Sequence, residues 1–327
     1  MHFRTEINIE KFQLKINHFD NILTIGSCFA ENMAEYFKQN RFNVLGNPFG
    51  VLYNPISIYN SLKFVIEKRE FRESDLIFYQ GEWHSFYHQS NFSDHQKNKI
   101  LENINMGIEN TTRFLNSANF LIITFGTSYV YKFLANGIIV SNCHKIPQKE
   151  FAHFMLNSEE TVKNIKNIVE MVGKFNPKIK FIFTVSPVRH WKNGAHNNQL
   201  SKANLLLAID EVIKSKNNCS YFPSYEIVMD DLRDYRFYES DLIHPNKIAT
   251  DYIWEKFSNS IFSGECLQVI NEISKVVTAR NHRVRNINSS EHQKFVKSII
   301  AKIELLNVNY SHLNLENDLK YFNSQLL

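Results

Sequence analysis

The chain has 327 residues, of which 43% are hydrophobic and 13% are aromatic, and its formal net charge is +4 at pH 7. This composition predicts a folded protein with a sizeable core and excludes a disordered chain. Basic and acidic residues are interspersed, and one short basic group (Arg280, His282, Arg283 and Arg285) is interpreted as solvated surface. We therefore expect no nucleic-acid partner, since such a partner requires a concentrated basic stripe.

The first residues, MHFRTEINIEKF, lack the apolar stretch of a signal peptide, and no apolar run approaches the roughly 18 residues that a membrane span needs. The four cysteines (Cys28, Cys143, Cys219 and Cys266) lie far apart and show no CxxC spacing. Neither a disulfide framework nor a zinc site is indicated. We expect a cytoplasmic location, no membrane partner and no cofactor.

Four apolar segments rich in β-branched and aromatic residues predict buried strands, and a turn signal follows each of them. The predicted strands are 22–25, 42–45, 120–125 and 180–185, and helical patterns intervene at about 29–39, 96–115, 159–175 and 198–214. This alternation predicts an α/β fold with a parallel central sheet and helices on both faces. Ligand sites of such folds gather at the carboxyl ends of the strands, so the turn signals mark the expected site.

The remaining segments are assigned in the same way. Residues 129–134 and 138–141 predict a hairpin, because Asn136-Gly137 favours its turn. The stretch 55–91 has no clear pattern and is interpreted as a cap on the sheet. After residue 262 the pattern is helical only, which predicts a main domain over 1–263 and a helical C-terminal extension over 264–327.

The first predicted strand passes into a helix through Gly26-Ser27-Cys28. Such a turn exposes a side chain, and the first helical N–H groups, including that of Cys28, point to where an oxyanion would form. Ser27 is therefore a candidate nucleophile, and its alternative role is that of a helix N-cap. The Cys28 thiol is a rival nucleophile, although thiols are most often small buried apolar groups.

A matching base is found late in the chain, in YESDLIHPN at 238–246. Asp241 lies three residues before His244, so one turn lets the carboxylate accept a hydrogen bond from the imidazole Nδ1–H. That contact favours the tautomer whose Nε2 can deprotonate a serine. The alternative is a turn-capping aspartate next to an ordinary loop histidine. A D-x-x-H pattern alone is weak, but the Gly-Ser turn favours the catalytic interpretation.

Together these motifs resemble the GSCFA-domain proteins, relatives of the Ser-Gly-Asn-His (GDSL-like) esterases. The resemblance covers about residues 20–325, with GSCFA at 26–30 followed in order by NPFG at 47–50, TFGTSYVYK at 124–132, NCHKIP at 142–147, SPVRHW at 186–191 and DLIHP at 241–245. It implies a three-layer α/β/α sandwich of flavodoxin-like, SGNH-hydrolase type. It also implies Ser27 as nucleophile, His244 as base and Asp241 as the carboxylate that orients the base.

The resemblance further implies an oxyanion hole completed by a glycine N–H after the second strand and an Asn side chain after the third. Gly50 is the favoured glycine. Ser128 stands where the relatives would have Asn, and its hydroxyl is a donor on a shorter arm. Asn47, Asn142 or Thr127 could substitute for the missing amide, and we include all three among the expected substrate-binding residues.

Several of the 13 histidines are grouped. His84 and His88 are four residues apart, as in a helical zinc site, but no H-E-x-x-H pattern accompanies them, and a metal is not expected. We interpret these two, with His144, Arg189 and His190, as the lining of a polar pocket for a hydroxyl-rich or acidic substrate. Arg189 is the strongest of the set, because a guanidinium at a strand end can bind a carboxylate or phosphate.

The favoured hypothesis is a serine esterase or deacylase that cleaves an O-acyl ester, with a small molecule or a glycan as substrate, through an acyl-enzyme. One alternative is an acyltransferase that shares this intermediate. Another is a non-catalytic module that binds a carbohydrate or acyl group, suggested by the absent Asn. A metallohydrolase based on His84 and His88 is the least favoured.

Overall fold

The computed structural model describes residues 4–327, and no helix in that range has the length and apolar character needed to cross a membrane. Its strands are β1 (Asn21–Gly26), β2 (Asn43–Gly46), β3 (Ile77–Tyr79), β4 (Glu82–His84), β5 (Phe120–Phe125), β6 (Tyr129–Phe133), β7 (Ile139–Val140), β8 (Phe151–Met155), β9 (Lys180–Val185) and β10 (Cys219–Tyr221). Its helices are α1 (Cys28–Gln39), α2 (Pro55–Ile66), α3 (Lys97–Ser117), α4 (Ser158–Phe175), α5 (Gly194–Ser215), α6 (Ser224–Glu226), α7 (Lys247–Ile261), α8 (Gly264–Asn281), α9 (Ser290–Asn309) and α10 (Glu316–Asn323).

The centre of the protein is a five-stranded sheet in the order β10-β9-β5-β1-β2, and all neighbouring strands are parallel. This is the doubly wound, flavodoxin-like order, in which the chain reverses its winding direction between β1 and β5. The four predicted strands are confirmed. β10 was not predicted, because its three residues, Cys-Ser-Tyr, do not form an apolar run.

The strands β1, β2, β5 and β9 contribute side chains to two apolar cores, one on each face of the sheet, whereas β10 contributes to one of them. In β5, Leu121 and Ile123 point to the core shared with α2, α3, α4 and α5, whereas Phe120 and Ile122 point to the core shared with α1 and α7. This alternation follows from the two-residue period of a strand. The predicted parallel sheet with helices on both faces is therefore confirmed.

Two small antiparallel sheets are inserted near the carboxyl ends of the central strands. β3 and β4 form a hairpin within the stretch 55–91, and α2 from the same stretch covers a face of the central sheet. The predicted hairpin is present as β6 and β7, with Gly137 at φ +75° in its turn, and β8 pairs with the other side of β6. β8 was not predicted.

The C-terminal helices α8, α9 and α10 surround a core of their own. They contact the main sheet region through Cys266, Leu267 and Ile270 of α8, which pack into the core next to α1 and α7. A second contact is made by Asp318 of α10, whose carboxylate is fully buried between two guanidinium groups. Arg41, just before β2, donates to it at 2.6 Å, and Arg280 of α8 donates at 2.6 Å. The division into 1–263 and 264–327 stays a prediction.

Asp318→Ala should weaken this attachment, because it leaves two partly buried guanidinium groups without their shared carboxylate. We expect a loss of about 3 kcal/mol in the free energy of unfolding of the C-terminal helices. Urea unfolding followed by far-UV circular dichroism measures it. Glu316→Ala removes an exposed carboxylate from the same helix and is the matched control. Equal losses in the two variants would contradict the prediction.

Candidate active site

The Gly26-Ser27 turn lies at the carboxyl end of β1, and its backbone is fixed from both sides. Gly26 has φ +142°, and a Cβ built on it would lie 2.2 Å from the Thr124 carbonyl oxygen of β5. On the other side, Asn47 Oδ1 accepts the Gly26 N–H at 2.8 Å, and Asn47 Nδ2 donates to the Ser27 carbonyl at 3.4 Å. Asn47, which we expected to contact substrate, therefore positions this turn.

Ser27 is the N-cap of α1. Its Oγ accepts the Phe29 N–H at 3.3 Å, its own N–H donates to the Thr124 carbonyl at 3.0 Å, and the residue is 1% exposed. The Cys28 N–H, first in the helix, has no acceptor among the hydrogen bonds of residues 4–327. Burial raises the pKa of the Cys28 thiol, which makes the thiol a poor rival nucleophile.

The Asp241–His244 contact is present as the sequence predicted. Asp241 Oδ2 lies 2.6 Å from His244 Nδ1, and Oδ1 accepts the N–H groups of Ile243 at 2.9 Å and His244 at 3.0 Å. The His244 backbone N–H, the His244 ring and the Ile243 N–H together lower the pKa of Asp241 to about 2. The carboxylate stays ionised at neutral pH and orients the ring with Nε2 directed away from it.

Ser27 and His244 are not hydrogen-bonded to each other. The His244 side chain is 49% exposed, and its Nε2 has no partner among residues 4–327. The loop 238–245 nevertheless lies at the carboxyl edge of the central sheet, where β1 also ends. Its Leu242 lines a cleft together with Arg189 and Trp191, which follow β9. Catalytic hydrogen bonds are often long before substrate binds. The Ser27–His244 link stays a prediction.

Two of the three expected oxyanion donors, Gly50 and Ser128, form hydrogen bonds with other groups of the protein. The Gly50 N–H donates to the Asn47 carbonyl at 2.8 Å. Ser128 is fully buried and faces α5, where its N–H donates to Ser201 Oγ at 2.8 Å and its hydroxyl lies 3.1 Å from the same oxygen. Of the three donors suggested by the sequence, the Cys28 N–H is the one without an acceptor in the described chain.

A groove of about 400 Å³ opens beside the loop that follows β5. Tyr53, Tyr129 and Tyr131 provide its aromatic walls, and Tyr53 also accepts the Gly126 and Thr127 N–H groups through its carbonyl, at 2.7 and 3.0 Å. Three of the predicted substrate residues line this groove, namely Thr127, Asn142 and His190. The spacing of Tyr129 and Tyr131 on one face of β6 was the signal that could have identified its wall.

His84, His88 and His144 do not line the groove, which corrects our expectation. His84 lies 2.7 Å from Ser93 Oγ, His88 lies 2.8 Å from Ser85 Oγ, and His144 Nε2 donates to the Ser85 carbonyl at 2.7 Å. All three rings are buried and stabilise the loops around β4. Residues 4–327 contain no group of three or more His, Cys, Asp or Glu arranged to bind a metal.

Arg189 lines the second cleft, of about 310 Å³, on the side of the His244 loop. Its guanidinium lies 5.6 Å from the Trp191 ring, and its buried Nε has no hydrogen-bond partner in the described chain. A carboxylate or phosphate in this cleft could use that donor. Binding of substrate by Arg189 stays a hypothesis.

Helix α5 connects the loops that follow β5 and β9. Ser201 bonds Ser128, as described above, and Asn198 Oδ1 accepts the His190 N–H at 2.8 Å. Lys202 donates to the carbonyls of Gly126 and Ser186. The sequence analysis missed Ser201 and Lys202, because an isolated Ser-Lys pair inside a helix carries no signal.

Gly26→Ala should disrupt the turn, since a methyl group would collide with the Thr124 carbonyl and the positive φ disfavours a side chain. We expect a loss of about 3 kcal/mol or more in the free energy of unfolding, measured by urea titration. Gly173→Ala in α4, where no atom lies within 4 Å of the added Cβ, is the control and should not destabilise. A Gly26→Ala protein as stable as the control would contradict the prediction.

The buried histidines predict a loss of stability in mild acid. Burial lowers the pKa of His88 to about 3 and those of His18 and His144 to about 4. An unfolded histidine has a pKa near 6.5. Between pH 6.5 and pH 4 the unfolded state therefore binds protons that the folded state does not, so stability falls as the pH falls.

His88→Gln should remove one of the groups that bind a proton in the unfolded state but not in the folded state. The slope of unfolding free energy against pH, measured by urea titrations between pH 6 and pH 5, should decrease by about 1.4 kcal/mol per pH unit. His196→Gln, at an exposed position of α5, controls for the loss of an imidazole. A slope unchanged by His88→Gln would contradict the assignment of this ring as buried and neutral.

Two family models match the chain. One is described as the GSCFA family and matches residues 21–257, and the other is described as the GSCFA domain protein, C-terminal domain, and matches residues 273–327. A search of curated proteins found no match. The first model spans the whole central sheet together with Ser27, Asp241 and His244. The chain therefore belongs to the GSCFA family.

Proposed function

We propose that this protein is a serine esterase or deacylase of SGNH-hydrolase type, which cleaves an O-acyl ester carried by a carbohydrate. The observation that carries the proposal is the 2.6 Å Asp241–His244 pair on a loop at the carboxyl edge of the sheet, the edge at which β1 ends in Gly26-Ser27. A carboxylate, an imidazole and an alcohol at one edge are the parts of a hydrolytic triad.

The proposed reaction has two stages. The loop 238–245 moves inward, and His244 Nε2 takes the Ser27 proton as Oγ bonds to the ester carbonyl carbon. Collapse of the tetrahedral adduct breaks the bond to the alcohol oxygen, which receives the proton from His244 and leaves. Water then attacks the acyl-enzyme, gives a proton to His244, and releases the carboxylic acid as Ser27 is restored.

The Cys28 N–H supplies the first oxyanion donor in this mechanism. It begins α1, has no acceptor in the described chain, and lies at the positive end of the helix dipole. The neighbouring Ser27 N–H donates to the Thr124 carbonyl at 3.0 Å and is therefore not available as a second oxyanion donor. Charge from elsewhere in the site must supplement this single donor.

A carbohydrate is favoured as the alcohol because of the groove beside the loop after β5. Tyr53, Tyr129 and Tyr131 offer flat aromatic faces, and amide, hydroxyl and imidazole groups lie between them. Ring faces with interspersed polar groups suit a ligand that is apolar on its faces and polar at its rim. Lys192, 5.0 Å from the Tyr131 ring, adds a positive charge to the groove.

A non-catalytic binding module is the second candidate, and two observations favour it. Ser27 is 1% exposed and serves as a helix cap, and Ser128 is turned into α5 instead of toward the site. Such a module would keep the groove and bind a glycan without turnover. Covalent reactivity of Ser27 distinguishes the two candidates.

Ser27→Ala should abolish reaction with a fluorophosphonate probe and lower the hydrolysis of acetylated sugars and nitrophenyl acetate by at least about 10³-fold. The loss of its cap should cost only about 1 kcal/mol in stability. Ser263→Ala removes an equivalent N-cap from α8, far from the site, and should react normally. Labelling should also persist in Cys28→Ala, which keeps the backbone N–H.

A fully active Ser27→Ala protein would overturn the proposal, and a folded wild-type protein that binds glycans but never reacts with the probe would favour the binding module. The acyltransferase alternative is tested in the same assay. Added sugars or amines should then capture the acyl group in competition with water. If they capture none at high concentration, hydrolysis is the reaction.

A further inference from the structure

Lys202 is a buried cation that the mechanism above does not use. It is 1% exposed, its Nζ donates to the Gly126 carbonyl at 2.8 Å and to the Ser186 carbonyl at 2.7 Å, and no carboxylate pairs with it in the described chain. An ammonium group without a counter-ion is costly to bury. Uncompensated charges of this kind are concentrated at functional sites.

The position of Lys202 connects it to the candidate active site. Gly126 directly follows β5 and Ser186 directly follows β9, so the ammonium group joins the carboxyl ends of two neighbouring strands. Gly126 begins the loop in which Ser128 stands at the place of the missing Asn. The backbone N–H and the hydroxyl of Ser128 both bond to the hydroxyl of Ser201, the residue before Lys202 on α5. The charge therefore lies behind the part of the site that lacks a donor.

Charged and titratable groups face Lys202 from each element around it. Cys28 lies on α1, Arg189 and His190 follow β9, and the Tyr225 ring centre lies 5.5 Å from Nζ. The Lys202 charge acts to lower the pKa of both Cys28 and His190, although burial is the larger influence on each. Its field thus extends to the first turn of α1 and to the lining of the groove.

We propose that Lys202 is a positioning residue that replaces the absent Asn of the oxyanion hole. It joins the loops after β5 and β9 and, while its ammonium group is protonated, places a positive charge behind the position where the transition-state oxyanion develops. This inference rests on the proposed function. An ammonium group that only joined the two loops would stabilise the fold, whereas one that compensates the oxyanion also changes the chemical step.

Lys202→Met tests this distinction, because methionine retains the length and loses the charge. We expect kcat to fall by at least about tenfold, with KM changed by less than about threefold, since the charge acts on the transition state. Ser201→Ala is the matched control, as it removes bonds to the same loop and leaves the charge in place. Equal kcat values for the two variants would overturn the proposal.

The wild-type protein gives a second test that does not depend on folding of the variant. Burial lowers the pKa of Lys202 to about 7. The rate at which the fluorophosphonate labels Ser27 should therefore fall above about pH 7, as the ammonium loses its proton, and folded Lys202→Met should lack that fall. A wild-type rate that rises steadily to pH 9 would overturn the proposal.

Acetate binding separates this inference from the esterase proposal. Isotope-labelled wild-type and Ser27→Ala proteins are titrated with sodium acetate at pH 6, and the amide signals of Cys28 and Thr127 are followed by NMR. We expect acetate to bind to the wild-type and Ser27→Ala proteins and to bind at least about tenfold more weakly to Lys202→Met. This result supports the proposed role of the Lys202 charge even if Ser27 never reacts with the probe. If Ser27 reacts with the probe but acetate binds equally well to the wild-type protein and to Lys202→Met, the inference is overturned and the esterase proposal stays intact.

Discussion

The candidate site depends on the close approach between the Gly26 Cα and the Thr124 carbonyl. A Cβ at this position would lie 2.2 Å from that oxygen, so the strand can end in this turn only with glycine. Asn47 fixes the other side through the Gly26 N–H and the Ser27 carbonyl. Three neighbouring strands thereby determine where α1 begins and where the Ser27 side chain is placed.

The two roles considered for Ser27 use the same geometry. An N-cap places its oxygen over the first helical N–H groups, which is also where a nucleophile attacks and an oxyanion is stabilised. The cap bond from the Phe29 N–H is 3.3 Å long, at the weak end of the range for such bonds. Because Oγ only accepts in this bond, the Ser27 hydroxyl can still donate its proton to an imidazole, so the cap is compatible with the proposed role of Ser27 as nucleophile.

The features that the sequence predicted are those encoded by near neighbours. The strand β5 follows from its continuous apolar run, the β6–β7 turn from Asn136-Gly137, and the Asp241–His244 contact from a three-residue spacing. The hydrogen bond that turns Ser128 away from the site joins residues 73 positions apart, and the His144–Ser85 bond spans 59 positions. Local patterns contain no information about such partners. The Ser128 hydroxyl was therefore assigned to the oxyanion hole and the His144 imidazole to substrate binding, whereas the fold uses both groups internally.

The geometry of the His244 loop indicates how the separated parts can meet. Asp241 accepts hydrogen bonds from the Ile243 N–H, the His244 N–H and the His244 ring, all within its own loop. The Glu239 N–H donates to the His244 carbonyl at 2.7 Å and closes the same loop. A shift of this segment would therefore carry the imidazole with its tautomer and orientation already fixed. In the proposed mechanism, the loop itself orders the base and the sheet orders the nucleophile. Substrate binding would then have to change the distance between the two groups and not the orientation of either one.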